Sequence, residues 1–218
     1  MGLDRMRYFA VGAAPVSAAL VEYFLSFDIQ LFQEYGMTEC GPTNIETPTL
    51  FGIGSCGGVV KGFNVVVEPC GDGGTEGEVM FDGRIRFMGY AKDPERTSEM
   101  IDDLGRIKSG DLGFFDPQGR LWITGRIKDL IVTCGGKKIS PSPIEQKLKR
   151  LLNPAITSVI VVGESRKFIS ALFGLKALVD PNTNLPTDEL SPEALQWLEV
   201  IGSPCKTVSQ VIATEDPA

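Results

Sequence analysis

The chain has 218 residues, no histidine and a formal net charge of −7. This length accommodates one large domain or two smaller ones, and 43% hydrophobic with 22% charged residues is ordinary for a folded globular protein. The missing histidine excludes Ser-His-Asp and Cys-His catalysis and histidine metal sites within this sequence. The acidic balance, without any block of lysine and arginine, argues against nucleic acid as a partner.

The cysteines and the apolar segments indicate the compartment. Five cysteines, an odd number with no Cys-x-x-Cys pair, argue against a disulfide framework and favour a reducing environment. No signal-peptide pattern opens the sequence, and the longest apolar stretch, residues 168–179, is too short for a membrane span and contains Lys176. We therefore expect a cytoplasmic protein without a transmembrane segment. Peripheral attachment to a membrane and the oligomeric state stay open.

The first elements predict a strand, a helix and a second strand. Residues 7–11 have the pattern of a strand and lead into a small-residue turn at residues 12–15. Apolar residues at helical spacing predict a helix over residues 16–27, and residues 29–32 follow as the next strand. The string beginning at Tyr35 lies just beyond that strand. Because ligands in open α/β sheets bind beyond the carboxyl ends of strands, we expect the turn and this string at one edge.

Residues 52–125 are rich in glycine and short strands. The turn signal Asp-Pro-Gln-Gly at residues 116–119 separates two apolar runs, which is typical of a pair of antiparallel strands. Asp93, followed by Pro94, predicts the start of a short helix. We therefore expect a small β-barrel-like subdomain over residues 62–125.

After Arg126 the pattern predicts a small α+β unit. Its expected elements, in order, are a strand at 129–132, a turn at 134–136, a helix from Ser142 to about Leu152, strands at 159–162 and 168–175, and a helix over 191–200. The fold class expected for the whole chain is thus α/β and α+β. We assign residues 1–125 to the remnant of a large-domain β-sheet with helices, 126–129 to a hinge, and 130–218 to a partial small domain.

Three short strings carry functional chemistry, and the first is Tyr35-Gly36-Met37-Thr38-Glu39. A tyrosine can stack on a flat base, and the glycine beside it allows close approach of the backbone to a ligand. A threonine can donate to a phosphate oxygen, and a glutamate can hold Mg²⁺, which prefers one or two carboxylates together with phosphate and water. A strand-end turn with a solvated glutamate is the other reading of this string.

The second string, residues 109–113, surrounds Asp111, and the third, residues 125–129, contains Arg126. A carboxylate such as Asp111 can accept hydrogen bonds from two neighbouring ribose hydroxyls, although aspartate in a turn is also common. Arg126 can reach ribose or phosphate oxygens with its fork of donors. The small-residue turn at residues 12–15 could bound a flat base or simply connect a strand to a helix.

Taken together and in this order, the strings resemble those of the adenylate-forming superfamily, which includes acyl-CoA synthetases, luciferases and peptide-synthetase adenylation domains. The resemblance implies ATP or AMP, Mg²⁺ and CoA as ligands, with fatty acid as the further substrate. It implies the following roles: Gly12, Ala13 and Ala14 at the adenine; Tyr35, Gly36, Met37 and Thr38 at the nucleotide, with Thr38 also catalytic; Glu39 at Mg²⁺ and in catalysis; Asp111 at the ribose; Ile123 and Arg126 beside it; Lys128 as catalytic hinge residue; and Gly135 and Gly136 in the loop that approaches the thiol acceptor.

Within the superfamily, the sequence looks most like long-chain fatty acyl-CoA synthetases of the bubblegum type. The residues behind this are 34–42, 83–90, 123–131 and 163–168. The implied reaction joins a fatty-acid carboxylate to the α-phosphorus of ATP, and the CoA thiolate then displaces AMP. Arg106 and Lys108 depart from the Trp and His of many relatives, which leaves the role of Asp111 intact.

The superfamily's phosphate loop and its carboxy-terminal catalytic lysine have no match here. We therefore expect a fragment of a larger ligase that is inactive by itself. The alternatives are a ligase of another carboxylic acid in the same superfamily, a non-catalytic nucleotide-binding or interaction module, and a partial gene product.

Overall fold

The computed structural model describes residues 5–14, 16–70, 75–84 and 86–214. The chain divides into two compact units, Met1–Lys128 and Asp129–Ala218. This division falls within the predicted hinge, residues 126–129, while the hinge function and the domain assignment stay predictions. Pro15 of the small-residue turn lies outside the described residues.

The first sheet of the first unit carries the turn and the tyrosine string. Its strands follow in the order β1 (Phe9–Val11), β2 (Leu31–Met37), β3 (Gly41–Ile45) and β4 (Gly58–Val59). Strands β1 and β2 are parallel and are connected by helix α1 (Ala18–Leu25), whose N-cap Ser17 accepts a hydrogen bond from the amide of Leu20.

Strand β2 is longer than the sequence predicted. The prediction ended it at Phe32, but it continues to Met37, so Tyr35 and Gly36 lie within the strand. The cause is β3, which turns back and pairs antiparallel with β2, for example Tyr35 with Asn44. A run that begins with Gly41 and Pro42 does not have the alternation typical of a strand, so this partner was not predicted.

The second sheet is an antiparallel meander over the region predicted to be barrel-like. Its strands, in sequence and spatial order, are β5 (Phe63–Pro69), β6 (Gly77–Gly83), β7 (Ile107–Phe115) and β8 (Leu121–Arg126). Among the described residues these four strands form an open sheet and no closed barrel. Helix α2 (Pro94–Met100) lies between β6 and β7 in sequence, and its N-cap Asp93 accepts from the amide of Arg96.

The largest core of the first unit lies on the second sheet. Its buried members are Cys40, Val65, Val79, Phe81, Ile107 and Leu121. Cys40 comes from the turn between β2 and β3, and the other members come from the four strands of this sheet, with Val79 and Phe81 at alternate positions of β6. Tyr35 and Met37 of β2 pack against the same core, which connects the first sheet to the second.

The second unit is the predicted small α+β assembly. After a 3₁₀ turn (Ile127–Asp129), its elements are β9 (Ile131–Val132), β10 (Lys138–Ile139), α3 (Pro141–Leu152), β11 (Ile156–Val162), β12 (Ser170–Leu175), β13 (Ala177–Val179), β14 (Pro186–Leu190), α4 (Pro192–Val200) and α5 (Val208–Ala213). The mixed α/β and α+β class is therefore confirmed. The strand predicted from Asp129 starts only at Ile131, because Asp129 still belongs to the 3₁₀ turn. No helix in the described ranges is long and apolar enough to cross a membrane.

Candidate functional site

The small-residue turn and the tyrosine string lie side by side. Strands β1 and β2 pair in a register that sets Val11 opposite Gln33, so Gly12 follows beside Glu34. A Cβ on Gly12 would stand 3.3 Å from the carbonyl oxygen of Glu34. The next residue, Ala13, has a φ of +69°, a left-handed conformation that costs a non-glycine residue about 1–2 kcal/mol. Residues held in this way often lie at binding sites.

Tyr35, Asp111 and Arg126 form one connected cluster. The Tyr35 hydroxyl donates to Oδ2 of Asp111 at 2.8 Å, and Nε of Arg126 lies 3.2 Å from Oδ1 of the same carboxylate. Asp111 and Arg126 are also opposite each other in the β7–β8 pairing. The structure therefore brings together one residue from each of the three strings.

Local backbone geometry fixes the direction of the Asp111 side chain. Gly110 has a φ of +71°, and its amide donates to the Glu78 carboxylate at 3.0 Å. The amide of Asp111 donates to the Ser109 hydroxyl at 2.9 Å. Glycine adopts this conformation without strain, so Gly110 and the two side-chain acceptors set the position of the carboxylate. Glu78 was not among the predicted site residues, because its contact spans 32 positions of sequence.

Tyr35 is partly a core residue. Its ring centroid lies 5.8 Å from that of Phe81, and Met37 and Ile123 pack against the same core. Burial and the adjacent Asp111 carboxylate raise the pKa of the Tyr35 hydroxyl, so it is a protonated donor at neutral pH. Part of the Tyr35 side chain thus stabilises the fold, and the phenol directs Asp111.

Gly36 has a steric reason to be glycine that is independent of any ligand. A Cβ at this position would fall 2.1 Å from the carbonyl oxygen of Gly41 on the paired strand β3. The register of the pairing shifts between Tyr35 and Gly36, which brings the two backbones this close. The packing of the hairpin is therefore sufficient to require glycine here.

Thr38 and Glu39 lie in the tight turn between β2 and β3. Thr38 is exposed and Glu39 is half-buried. The Glu39 carboxylate accepts a hydrogen bond from the Tyr90 hydroxyl, whose oxygen is 2.5 Å from Oε1. This hydrogen bond is the first cause of a raised pKa at Tyr90, followed by burial and by the Glu39 charge. In the sequence, Tyr90 supported only the family resemblance, because 51 positions separate it from Glu39.

Three predicted residues lie at or after the boundary of the units. Lys128 is exposed in the 3₁₀ turn and is the last residue of the first unit. Gly135 and Gly136 belong to the second unit, in the turn of the β9–β10 hairpin, where the Gly136 amide donates to the carbonyl of Thr133 at 2.8 Å. Gly136 has a φ of +76°. The cluster described above is built from the first unit alone.

The site offers carboxylates and donors suited to hydroxyls and phosphate. The side chain of Asp111 is 17% exposed and that of Arg126 is 73% exposed, so the guanidinium lies at the open side of the pair. In the part of the chain that the structure describes, no three cysteine, aspartate or glutamate side chains gather into a metal-binding group. Glu39 is therefore a single carboxylate at an open turn.

Comparison with known proteins agrees with the sequence resemblance. Residues 128–213 match the family model described as the AMP-binding enzyme C-terminal domain. A Xenopus laevis protein named Long-chain-fatty-acid--CoA ligase ACSBG2 is 42% identical over 220 residues, which cover 100% of this chain and 29% of that protein. A Mus musculus protein named Long-chain-fatty-acid--CoA ligase ACSBG1 is 41% identical over 209 residues, which cover 95% of this chain and 29% of that protein.

Solved structures agree as well. The O-succinylbenzoate Coenzyme A synthetase MenE from Bacillus subtilis, in complex with ATP and a magnesium ion, superimposes with a TM-score of 0.66 at 28% sequence identity. The match covers 80% of this chain and 38% of that one. The chain thus spans less than a third of the fatty-acid ligases that it matches. The family-model match over residues 128–213 and the similarity along the chain thus confirm its resemblance to the adenylate-forming superfamily of AMP-binding enzymes and, within it, to the bubblegum-type long-chain fatty acyl-CoA ligases.

Proposed function

We propose that this chain is the AMP-holding and hinge-bearing part of a long-chain fatty acid–CoA ligase. In the complete reaction, a fatty-acid carboxylate attacks the α-phosphorus of ATP and releases pyrophosphate, and the CoA thiolate then displaces AMP from the acyl-adenylate. The named activity belongs to the relatives, of which the chain spans 29%. The assignment to this chain rests on that similarity and on its own side-chain geometry.

The observation that carries the proposal is the Tyr35–Asp111–Arg126 cluster beside the turn at Gly12 and Ala13. Asp111 accepts from both ribose hydroxyls, because a carboxylate has acceptor sites beyond those that Tyr35 and Arg126 use. Arg126, at the open side, donates to ribose or phosphate oxygens. The turn at Gly12 and Ala13, together with Ile123, bounds the adenine.

Thr38 and Glu39 are the residues that we assign to the phosphates. The exposed Thr38 hydroxyl donates to a phosphate oxygen, and Glu39 holds Mg²⁺ as one carboxylate among phosphate and water ligands, which fits the coordination that Mg²⁺ prefers. When bound, Mg²⁺ neutralises part of the phosphate charge. Met37 and Gly36 contribute backbone next to these groups.

We assign a hinge motion to the residues at the boundary between the two units. Residues 126–129 act as the hinge, with Lys128 at its centre, because a few residues at the end of an element can absorb a large change of φ and ψ. Gly135 and Gly136 form the loop that approaches CoA. Residues 1–125 and 130–218 are the corresponding domains.

The experiment measures AMP binding to the purified chain by titration calorimetry. We expect the wild-type chain to bind AMP and the Asp111→Asn variant to bind it about tenfold or more weakly, since a hydrogen bond to a charged group contributes about 1.5–3 kcal/mol. Asp103→Asn, which changes an exposed aspartate in the loop before β7, is the matched control and should bind as wild type. An absence of AMP binding by the wild-type chain would overturn the proposal.

A further inference from the structure

We propose that Tyr90 is a positioning residue that holds the Glu39 carboxylate in place for Mg²⁺. The inference rests on the proposed function, in which Glu39 is the ligand of the metal. It gives a role to a residue that has none in the sequence analysis or in the proposed function. The occupant of the site is a divalent cation bound together with the phosphates of ATP.

The segment that contains Tyr90 is attached to Glu39 at two points. The Tyr90 hydroxyl oxygen lies 2.5 Å from Oε1 of Glu39, and the amide of Phe87 donates to the Glu39 carbonyl oxygen at 2.6 Å. One contact fixes the backbone of the turn and the other fixes the carboxylate. Because Glu39 lies in a hairpin turn at the surface, these contacts limit its freedom more than the hairpin alone does.

Tyr90 is itself held from several sides. Its amide donates to the Thr97 hydroxyl at 2.9 Å, and that hydroxyl donates to the carbonyl oxygen of Asp93 at 2.8 Å. The Arg96 guanidinium lies 4.8 Å from the centre of the Tyr90 ring, over its face, and the Phe87 ring meets it edge-on at 4.9 Å. The first turn of α2 thus fixes the backbone and the ring of Tyr90.

The arrangement has the form of an outer-shell contact to a metal ligand. Carboxylates that bind metals are commonly hydrogen-bonded in turn, and loss of such a partner typically lowers metal affinity about 10–100-fold. The Tyr90 hydroxyl donates to Oε1 of Glu39, and among the described residues no hydrogen bond reaches Oε2 of the same carboxylate. The bond to Tyr90 therefore orients the carboxylate and leaves one oxygen for the cation.

The experiment compares ATP binding to the full chain with Mg²⁺ and with EDTA, by titration calorimetry. In the wild-type chain we expect Mg²⁺ to strengthen ATP binding. In Tyr90→Phe we expect ATP affinity in EDTA within about twofold of wild type, while the strengthening by Mg²⁺ falls about tenfold. Tyr23→Phe removes a hydroxyl from the exposed ring of Tyr23 on α1 and is the matched control, with both affinities unchanged.

A double-mutant cycle tests whether Tyr90 acts through Glu39. Glu39→Gln alone should abolish the Mg²⁺ effect, and adding Tyr90→Phe to it should then change nothing further. A purely structural role would instead lower ATP affinity in EDTA as well. If Tyr90→Phe fails to fold, Arg96→Gln provides the test, because loss of the cation over the ring should reduce the Mg²⁺ effect about two- to fivefold.

The outcomes separate this inference from the proposed function. If the wild-type chain binds neither AMP nor ATP, the proposed function is wrong and the inference fails with it. If the wild-type chain binds AMP but Mg²⁺ does not strengthen ATP binding, the assignment of Glu39 to Mg²⁺ fails together with the role of Tyr90, while the AMP site stands. If the Mg²⁺ effect is equal in wild type and Tyr90→Phe, only the role of Tyr90 is overturned. The same applies if a folded Arg96→Gln keeps the full Mg²⁺ effect after Tyr90→Phe fails to fold.

Discussion

The first unit contains two kinds of carboxylate, which differ in how many donors reach them. Glu46 is fully buried, and its two oxygens accept from the amide of Gln33 at 2.9 Å, the amide of Gly52 at 2.9 Å and the Ser55 hydroxyl at 2.7 Å. These donors come from β2 and from the loop before β4. Glu46 therefore joins a strand to a loop and has no role open to a ligand.

Asp116 belongs to the same kind. In the turn between β7 and β8, its carboxylate accepts from the amide of Gln118 at 3.0 Å, the amide of Arg120 at 2.9 Å, Nε of Arg120 at 2.7 Å and the indole nitrogen of Trp122 at 2.9 Å. Four donors on one carboxylate fill its acceptor sites. The geometry accounts for the turn without any functional role.

Glu39 and Asp111 belong to the other kind. Each accepts from one tyrosine hydroxyl, Tyr90 or Tyr35, and Asp111 also faces the exposed guanidinium of Arg126. Both retain acceptor sites that the described residues do not fill. Among these four acids, the number of donors that reach the carboxylate separates Glu46 and Asp116, which serve the fold, from Glu39 and Asp111, which we propose to bind ligand.

Removal of the Glu46 carboxylate should destabilise the protein most. Glu46→Ala should lower the free energy of unfolding by about 3–5 kcal/mol, because two buried donors and one half-buried donor lose their acceptor. Glu39→Ala should lower it by about 1 kcal/mol or less, since a single neutral hydroxyl is affected. Urea denaturation at neutral pH measures both. Equal losses of stability in the two variants would contradict the distinction between the two kinds of carboxylate.

Asp116 should contribute to the pH dependence of the free energy of unfolding. Desolvation acts to raise the pKa of Asp116, but hydrogen bonds from Trp122 and Arg120 outweigh it and lower the pKa to about 2, below the usual 3.8. A carboxyl with a lowered pKa stabilises the fold above its usual pKa, and this contribution is lost as the pH falls from 3.8 towards 2. Asp116→Asn should therefore make the free energy of unfolding less dependent on pH in this window.

Urea denaturation over a series of pH values measures this slope. Asp103→Asn, in an exposed aspartate, is the control and should keep the wild-type slope. A steep slope that persists unchanged in Asp116→Asn would show that other carboxyl groups dominate acid unfolding.

Much of the fold could be predicted because its signals are local. The helix starts at Asp93 and Ser191 and the turn at residues 116–119 need only a few neighbouring residues, and the structure has each of them. The approach of the small-residue turn to the tyrosine string was also predicted, although Tyr35 and Gly36 lie within β2 and not beyond its end, where the rule about strand ends had placed them. These features depend little on the rest of the chain.

The remaining features could not be predicted because they depend on contacts between distant residues. Glu46 lies in a Thr-Asn-Ile-Glu-Thr run that looks like a solvated turn, and only its partners at Gln33 and Ser55 make it a buried acid. The contact of Tyr90 with Glu39 also spans a large sequence separation. No periodicity or short motif contains this information.

Substitution of Arg126 should change stability least, and it tests the exposed cation that faces Asp111. Arg126→Lys keeps the charge but loses the fork of donors, and an exposed ion pair contributes about 0–1 kcal/mol. We expect the free energy of unfolding to change by less than about 0.5 kcal/mol and AMP affinity to fall about two- to fivefold.

Calorimetric titration of AMP at low and high KCl measures this effect of Arg126→Lys. Arg7→Lys, in an exposed arginine before the amino end of β1, is the control and should bind as wild type. If the loss at Arg126 came only from weaker attraction between exposed charges, salt would screen it and the two proteins would converge at high KCl. A difference that persists at high salt would instead come from the lost hydrogen-bond geometry of the guanidinium, as expected for a residue that contacts the ligand directly.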